Sequence, residues 1–147
     1  MRRLLVVLVG VLAAAAIAVP AALADSPHYI KGPDVSISGN SLTVSWKTAG
    51  LGNTATSANF ALTGTANVTS QCFTKSGNPV NGVPKSESVD VNVSGDFPVR
   101  NGQVTGSLTI SPLSTLQCTG NQHVEILDVS FDLTLTGNDL PPVELTG

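Results

Sequence analysis

The chain has 147 residues, a formal net charge of −3 and only 12% charged side chains. Beyond residue 24 its Lys and Arg stand singly at 31, 47, 75, 85 and 100, so no basic stripe exists to follow a nucleic-acid backbone or an anionic membrane surface. With four Phe, one Trp and one Tyr, it has too few aromatics to furnish both a core and a broad sugar-stacking platform.

The first element is an export signal. Met1-Arg2-Arg3 is a short basic start, Leu4 to Val19 carries no polar or charged side chain, and Ala22-Leu23-Ala24 puts small residues where a signal peptidase reads. The apolar run is short for a bilayer span of about 20 residues and has no charged stop-transfer flank. The expectation is cleavage after Ala24 and no membrane span thereafter. Loss of Arg2 and Arg3 leaves five basic against ten acidic side chains, a net charge of −5 on residues 25–147. That length suits a single domain.

The mature chain reads as strands throughout. DVSIS (34–38) sets Val35 and Ile37 on one face, Gly39-Asn40 signals a turn, and SLTVSWK puts Leu42, Val44 and Trp46 inward. Residues preceding 34, including His28, read as an N-terminal arm. In SANFALTGTANVTSQCF, Phe60, Leu62, Ala66, Val68 and Cys72 share a parity, with Gly64 marking a bulge or bend. ESVDVNVSGDFPV turns Val89, Val91 and Val93 inward, and Asn101-Gly102 is a two-residue hairpin signal leading to QVTGSLTIS, where Val104, Leu108 and Ile110 share a face. In HVEILDVSFDLTLTG, Leu127, Val129, Phe131, Leu133 and Leu135 alternate with polar residues, while Val124 and Ile126 hold the opposite parity. A bulge or sheet change is therefore expected near Ile126. About seven one-faced strands with regular turn signals define an all-β, immunoglobulin-like, two-sheet antiparallel sandwich, with Trp46 packed between the sheets.

Cys72 and Cys118 are the two cysteines of an exported chain, and an even count in an oxidising location reads as a disulfide. If 58–72 and 103–110 run in the same direction, both sulfurs emerge at one end of the sandwich. The bridge then pins the 74–86 loop to the 111–122 loop without crossing the core. A catalytic thiol needs a base beside it, and Lys75 and His123 are near in sequence, but pairing leaves no free thiol. A zinc site would have to gather Cys72, Cys118, His28 and His123 from across the chain.

Other patterns yield to plainer readings. Asp90-Val91-Asn92-Val93-Ser94-Gly95 resembles the start of an EF-hand loop, yet position 12 is Asn101 and no helices flank it; alternation with inward valines makes the polar set an outer face. Asp128 and Asp132 read likewise. Gly50-Leu51-Gly52-Asn53-Thr54-Ala55 formally fits a dinucleotide motif but leads into a strand rather than a helix. Asn67-Val68-Thr69 and Asn92-Val93-Ser94 are glycosylation sequons, relevant only in a host that uses them.

The ordered combination AGLGN (49–53), QCFTKSGNPVNG (71–82), NGQVTGSLT (101–109) and a second cysteine before HVEILDVSFDLTLTG resembles a group of small secreted actinobacterial proteins. Where that pattern has Cys-Pro before a glycine, this chain has Cys118-Thr119-Gly120. The resemblance implies secretion, one disulfide and a β-sandwich; it transfers no catalytic residue.

The functional expectation is a non-enzymatic secreted or envelope-associated module. It needs no cofactor and no metal, and recognises an extracellular protein, cell-wall or glycan ligand through its bridged loops. Candidate contact residues are Lys75, Asn78, Pro79, Asn81, Gln117 and Asn121, with segment 47–56 joining the same end. The alternatives are a secreted protease inhibitor presenting the Gly77-to-Pro84 loop, or a small hydrolase using His123 with a nearby carboxylate.

Overall fold

The computed structural model describes residues 26–137 and 139–147; the export signal expected over 1–24 lies outside the described residues. Among the described residues there are seven strands, β1 (His28–Ser38), β2 (Ser41–Ala49), β3 (Ser57–Phe73), β4 (Lys85–Pro98), β5 (Val104–Ile110), β6 (His123–Gly137) and β7 (Val143–Thr146). They form two antiparallel sheets, one ordered β1-β2-β5 and the other β4-β3-β6-β7. This is the expected immunoglobulin-like sandwich. Its fourth strand lies beside the third, in the sheet that an immunoglobulin constant domain leaves with three strands.

Period-two alternation builds the core. Leu42, Val44 and Trp46 of β2 face Phe60, Leu62, Ala66 and Val68 of β3, with Leu133 and Leu135 of β6 beside them, all buried. Trp46 does sit between the sheets, its ring centroid 4.8 Å from Phe60 and 5.3 Å from Phe97. On β4, Val91 is buried while Val89 and Val93 pack partly against the core.

Three features differ from the alternation reading. The ladder runs unbroken through Gly64 on both sides. The residue is instead demanded by close approach: at φ +138°, a Cβ there would stand 2.1 Å from the Asp132 carbonyl oxygen. The shift lies where β6 was expected to break, Thr69 pairing with Asp128 and Ser70 with Ile126. Leu127 is therefore the extra residue of a bulge, and it is 46% exposed rather than inward. His28 opens β1, opposite Ala49, and is not part of a free arm.

Asn101 and Gly102, both at positive φ, form the expected two-residue turn, closed by hydrogen bonds in both directions between Arg100 and Gln103. The strands it joins belong to different sheets, so the turn serves as a crossover instead of a hairpin. Connections also plug the ends of the core, through Leu51, Leu113 and Leu140.

Candidate functional site

One pole of the sandwich is built around the Cys72–Cys118 disulfide, with an S–S distance of 2.02 Å and Cα atoms 5.7 Å apart. It ties the end of β3 to the segment carrying the chain from β5 in one sheet to β6 in the other. The bridge lies at this pole, as the shared direction of 58–72 and 103–110 requires, and not through the core.

Segment 111–122 is a strap with several fastenings. Leu113 is fully buried, and its N–H donates to the Asn40 carbonyl at 2.9 Å. The Asn40 side chain grips the next residue twice, accepting from the Ser114 N–H at 2.7 Å and donating to its carbonyl at 3.1 Å. The Ser114 hydroxyl meets that of Ser70 at 2.6 Å inside the protein and also accepts from the Leu116 N–H. Thr115 is held from β4, where Glu87 accepts from both its N–H and its hydroxyl, and Lys85 reaches the same hydroxyl at 2.9 Å. Lys85 also pairs with Glu87 at 2.6 Å. The Lys85 ammonium, then the Thr115 N–H, hold the Glu87 carboxyl down at about 2, against an ordinary 4.5.

The β3–β4 loop folds back on itself. Thr74 and Asn78 exchange backbone and side-chain hydrogen bonds, and the Val80 N–H donates to the Cys72 carbonyl at 2.9 Å. Gln71 donates to the carbonyls of Val80 and Gly82. Beyond this anchored part, Gly82-Val83-Pro84 projects, with Val83 93% exposed.

All six candidate residues are exposed. Lys75, Asn78, Pro79 and Asn81 lie in the β3–β4 loop, Gln117 and Asn121 in the strap, and the disulfide gathers both sets at one pole. Asn78 and Pro79 also serve the loop itself: the Asn78 amide donates to the Ser76 hydroxyl at 3.3 Å, and Pro79 bridges Phe73. Segment 47–56 does not join them. It belongs to the opposite pole, where the Leu51 N–H donates to the Gly102 carbonyl and the Val99 N–H to the Thr56 carbonyl, because β2 starts at the disulfide pole and ends at the other.

His123 opens β6 on the rim of this pole. Its Nε2 lies 2.9 Å from Glu125 Oε1, both side chains about half exposed, and its ring is 6.5 Å from Phe73. This is a histidine–carboxylate pair in open solvent. A hydrolytic arrangement would put a nucleophilic hydroxyl on the other ring nitrogen. His28, by contrast, bonds the Ser26 carbonyl through Nδ1. Among the described residues, no three His, Cys, Asp or Glu side chains are grouped to hold a metal ion.

The remaining sequence patterns settle onto surfaces. Asp90, Asn92 and Ser94 are exposed on β4 beside inward valines, and Asp128 and Asp132 on β6. The glycines at 50 and 52 shape the β2–β3 connection. Tyr29 packs partly against the core, and burial raises the pKa of its hydroxyl. The residues that sequence reading missed are those fixing the strap, Asn40, Ser70, Ser114 and Glu87. Asn40 looked like half of a turn signal, and its side-chain role carries no pattern.

No known family model matches this chain, and no curated protein is similar to it.

Proposed function

We propose that this is a secreted, non-enzymatic module of the cell envelope or its surroundings, which binds an extracellular protein, cell-wall or glycan ligand through its disulfide pole. The observation that carries this reading is the contrast within that pole. Lys75, Asn81, Gln117 and Asn121 stand exposed on loops whose backbones are fastened by the bridge, by Asn40 and by the Lys85–Glu87–Thr115 group. Loops held on a rigid scaffold bind with less ordering cost, which favours recognition. Secretion is supported by the signal-like residues 1–24, by a bridge suited to an oxidising compartment and by the resemblance to secreted actinobacterial proteins. No helix among the described residues is long and apolar enough to cross a membrane.

The test is cosedimentation of residues 25–147 with isolated cell-wall material. The set Lys75→Ala, Asn81→Ala, Gln117→Ala and Asn121→Ala abolishes retention while cooperative unfolding persists. Retention unchanged by the set, or absent from the parent, refutes the reading. Mass analysis of the exported protein, with Asp25 as its first residue, tests the cleavage.

The exposure of Val83 supports a second reading, a protease inhibitor. A short loop anchored at Cys72 and projecting an aliphatic side chain is the form such inhibitors present. Incubation with subtilisin- and trypsin-type proteases distinguishes blockage from simple cutting of the loop.

A further inference from the structure

The basic side chains beyond residue 24 are widely spaced in sequence, but the first sheet brings Lys31, Lys47 and Arg100 together. Lys47 pairs with Lys31 on one side and with Thr105 on the other, and alternation turns all three away from the core. Two hollows share Lys47 and Thr105 as a common wall. One, of about 430 Å³, runs from Lys31 and Asp34 across Ser45; the other, of about 240 Å³, reaches Arg100 and Gln103.

The larger hollow follows the shape of β1. Between Lys31 and Asp34 that strand has Gly32 and Pro33, where β2 has Trp46 alone. Proline offers no N–H to the ladder, and Gly32 lies at φ +67°, so close to β2 that a Cβ would stand 2.7 Å from the Ser45 carbonyl oxygen. Two residues against one is a bulge, which bends its strand.

The charges here lack partners. Among the described residues the ion pairs are Lys85–Glu87 and His123–Glu125, and neither includes Lys31, Lys47 or Arg100. Lysine on an edge strand such as β1 discourages edge-to-edge pairing, which accounts for Lys31. It does not account for Lys47. β2 is the middle strand of its sheet, Lys47 is half-buried, and a like charge directly opposite is destabilising. Asp34 is the acidic group at the hollow, whereas Asp90, Asp96, Asp128, Asp132 and Glu144 stand on the other sheet.

We propose that this face binds phosphate groups carried by a polyol or sugar. A phosphomonoester brings a charge of about −1.5 to −2, which offsets the two facing lysines. Arg100 adds a planar fork for a second anionic group. The hydroxyls of Ser45 and Thr105 and the Gln103 amide supply neutral donors for phosphate oxygens or for the hydroxyls beside them. Adjoining hollows with a shared wall suit successive groups of a phosphodiester chain as well as one phosphomonoester. Three charges make a local site, not a track for a nucleic-acid backbone.

Lys47 and Arg100 lie toward the pole opposite the disulfide, so the site and its test are separate from the loops invoked for envelope binding. Residues 25–147 are titrated at low salt with glycerol phosphate, with a short glycerol-phosphate oligomer and with an oligogalacturonate as carboxylate counterpart, while backbone amide signals are followed. The phosphate probes shift Lys47 and Thr105 and raise the melting temperature. Tighter binding of the monoester identifies a small phosphorylated ligand and tighter binding of the oligomer a polymer; either supports the site. Lys47→Gln and Arg100→Gln each weaken the better probe by about fivefold or more. Lys47→Gln, which removes a like-charge opposition, melts no lower than the parent without phosphate and loses the rise with it. Lys75→Gln, at the disulfide pole, changes nothing. The proposal is overturned if neither phosphate probe shifts Lys47, if Lys75→Gln weakens binding as much as Lys47→Gln, or if the oligogalacturonate binds as tightly as the phosphate probes.

Discussion

Leu113 and Thr48 are both fully buried, and they bear on stability in opposite senses. Leu113 lies in a connection between strands, yet it closes the core beneath the strap. Leu113→Ala should cost about 2–5 kcal/mol, the range for truncating a buried leucine, whereas Val83→Ala, at 93% exposure, stays within about 0.5 kcal/mol. Urea unfolding of the two variants measures the contrast. Thr48 buries a hydroxyl that has no hydrogen-bond partner among the described residues. Thr48→Val removes that group at nearly constant shape and should raise stability by about 1 kcal/mol; a loss would sink the idea. Glu87 adds a pH dependence. Its carboxyl is depressed to about 2 from 4.5, so the folded state favours the charged form. The stability it contributes is complete above pH 4.5 and is lost as pH falls toward 2. Melting temperature followed across that interval should fall less steeply for Glu87→Gln than for the parent.

At the scale of elements, the strap and its bridge govern one end of the sandwich. Cross-linking across a sequence separation of 46 residues restricts the unfolded chain by about 4 kcal/mol in the entropy model. Reduction should therefore lower the unfolding free energy by about 2–5 kcal/mol. The earliest loss of amide protection falls on 111–122, while β2, β3 and β5 hold longest. Equal loss of protection at both poles would contradict this. Much of this arrangement was legible beforehand, because period-two alternation is a local property. It marked β2 through β6, the inward set around Trp46, and the parity conflict that became the Leu127 bulge. What escaped depended on long-range partners. Leu51, Leu113 and Leu140 lie in stretches without any period, so their burial had no local sign. β7 is only four residues long and follows two prolines, too short for alternation to register. Alternation alone puts Leu127 inward because the parity change points to Ile126, one residue from where the bulge lies.

For the whole molecule, the placement of segment 47–56 shows the limit of arguing from short connections. Its glycine-rich composition fitted a recognition loop, but its pole depends on strand direction, which only the pairing of β2 with β1 and β5 settles. The six candidate contact residues were found by loop membership. Their meeting at one pole follows from the pairing of the two cysteines. The fastenings beneath them were hidden, because hydrogen bonds from Asn40 and Glu87 to the strap join residues 74 and 28 positions away.

The loop enclosed by the two sulfurs contains β4 and β5 entire, and the most prominent backbone of the β3–β4 connection, around Val83, lies within it. An exposed loop tip is where proteolysis begins. A single scission at that tip should not divide the protein. The two pieces stay covalently joined and migrate as one species in a denaturing gel, separating only when thiol is added. Two free fragments without reductant would show that the lasso is not closed.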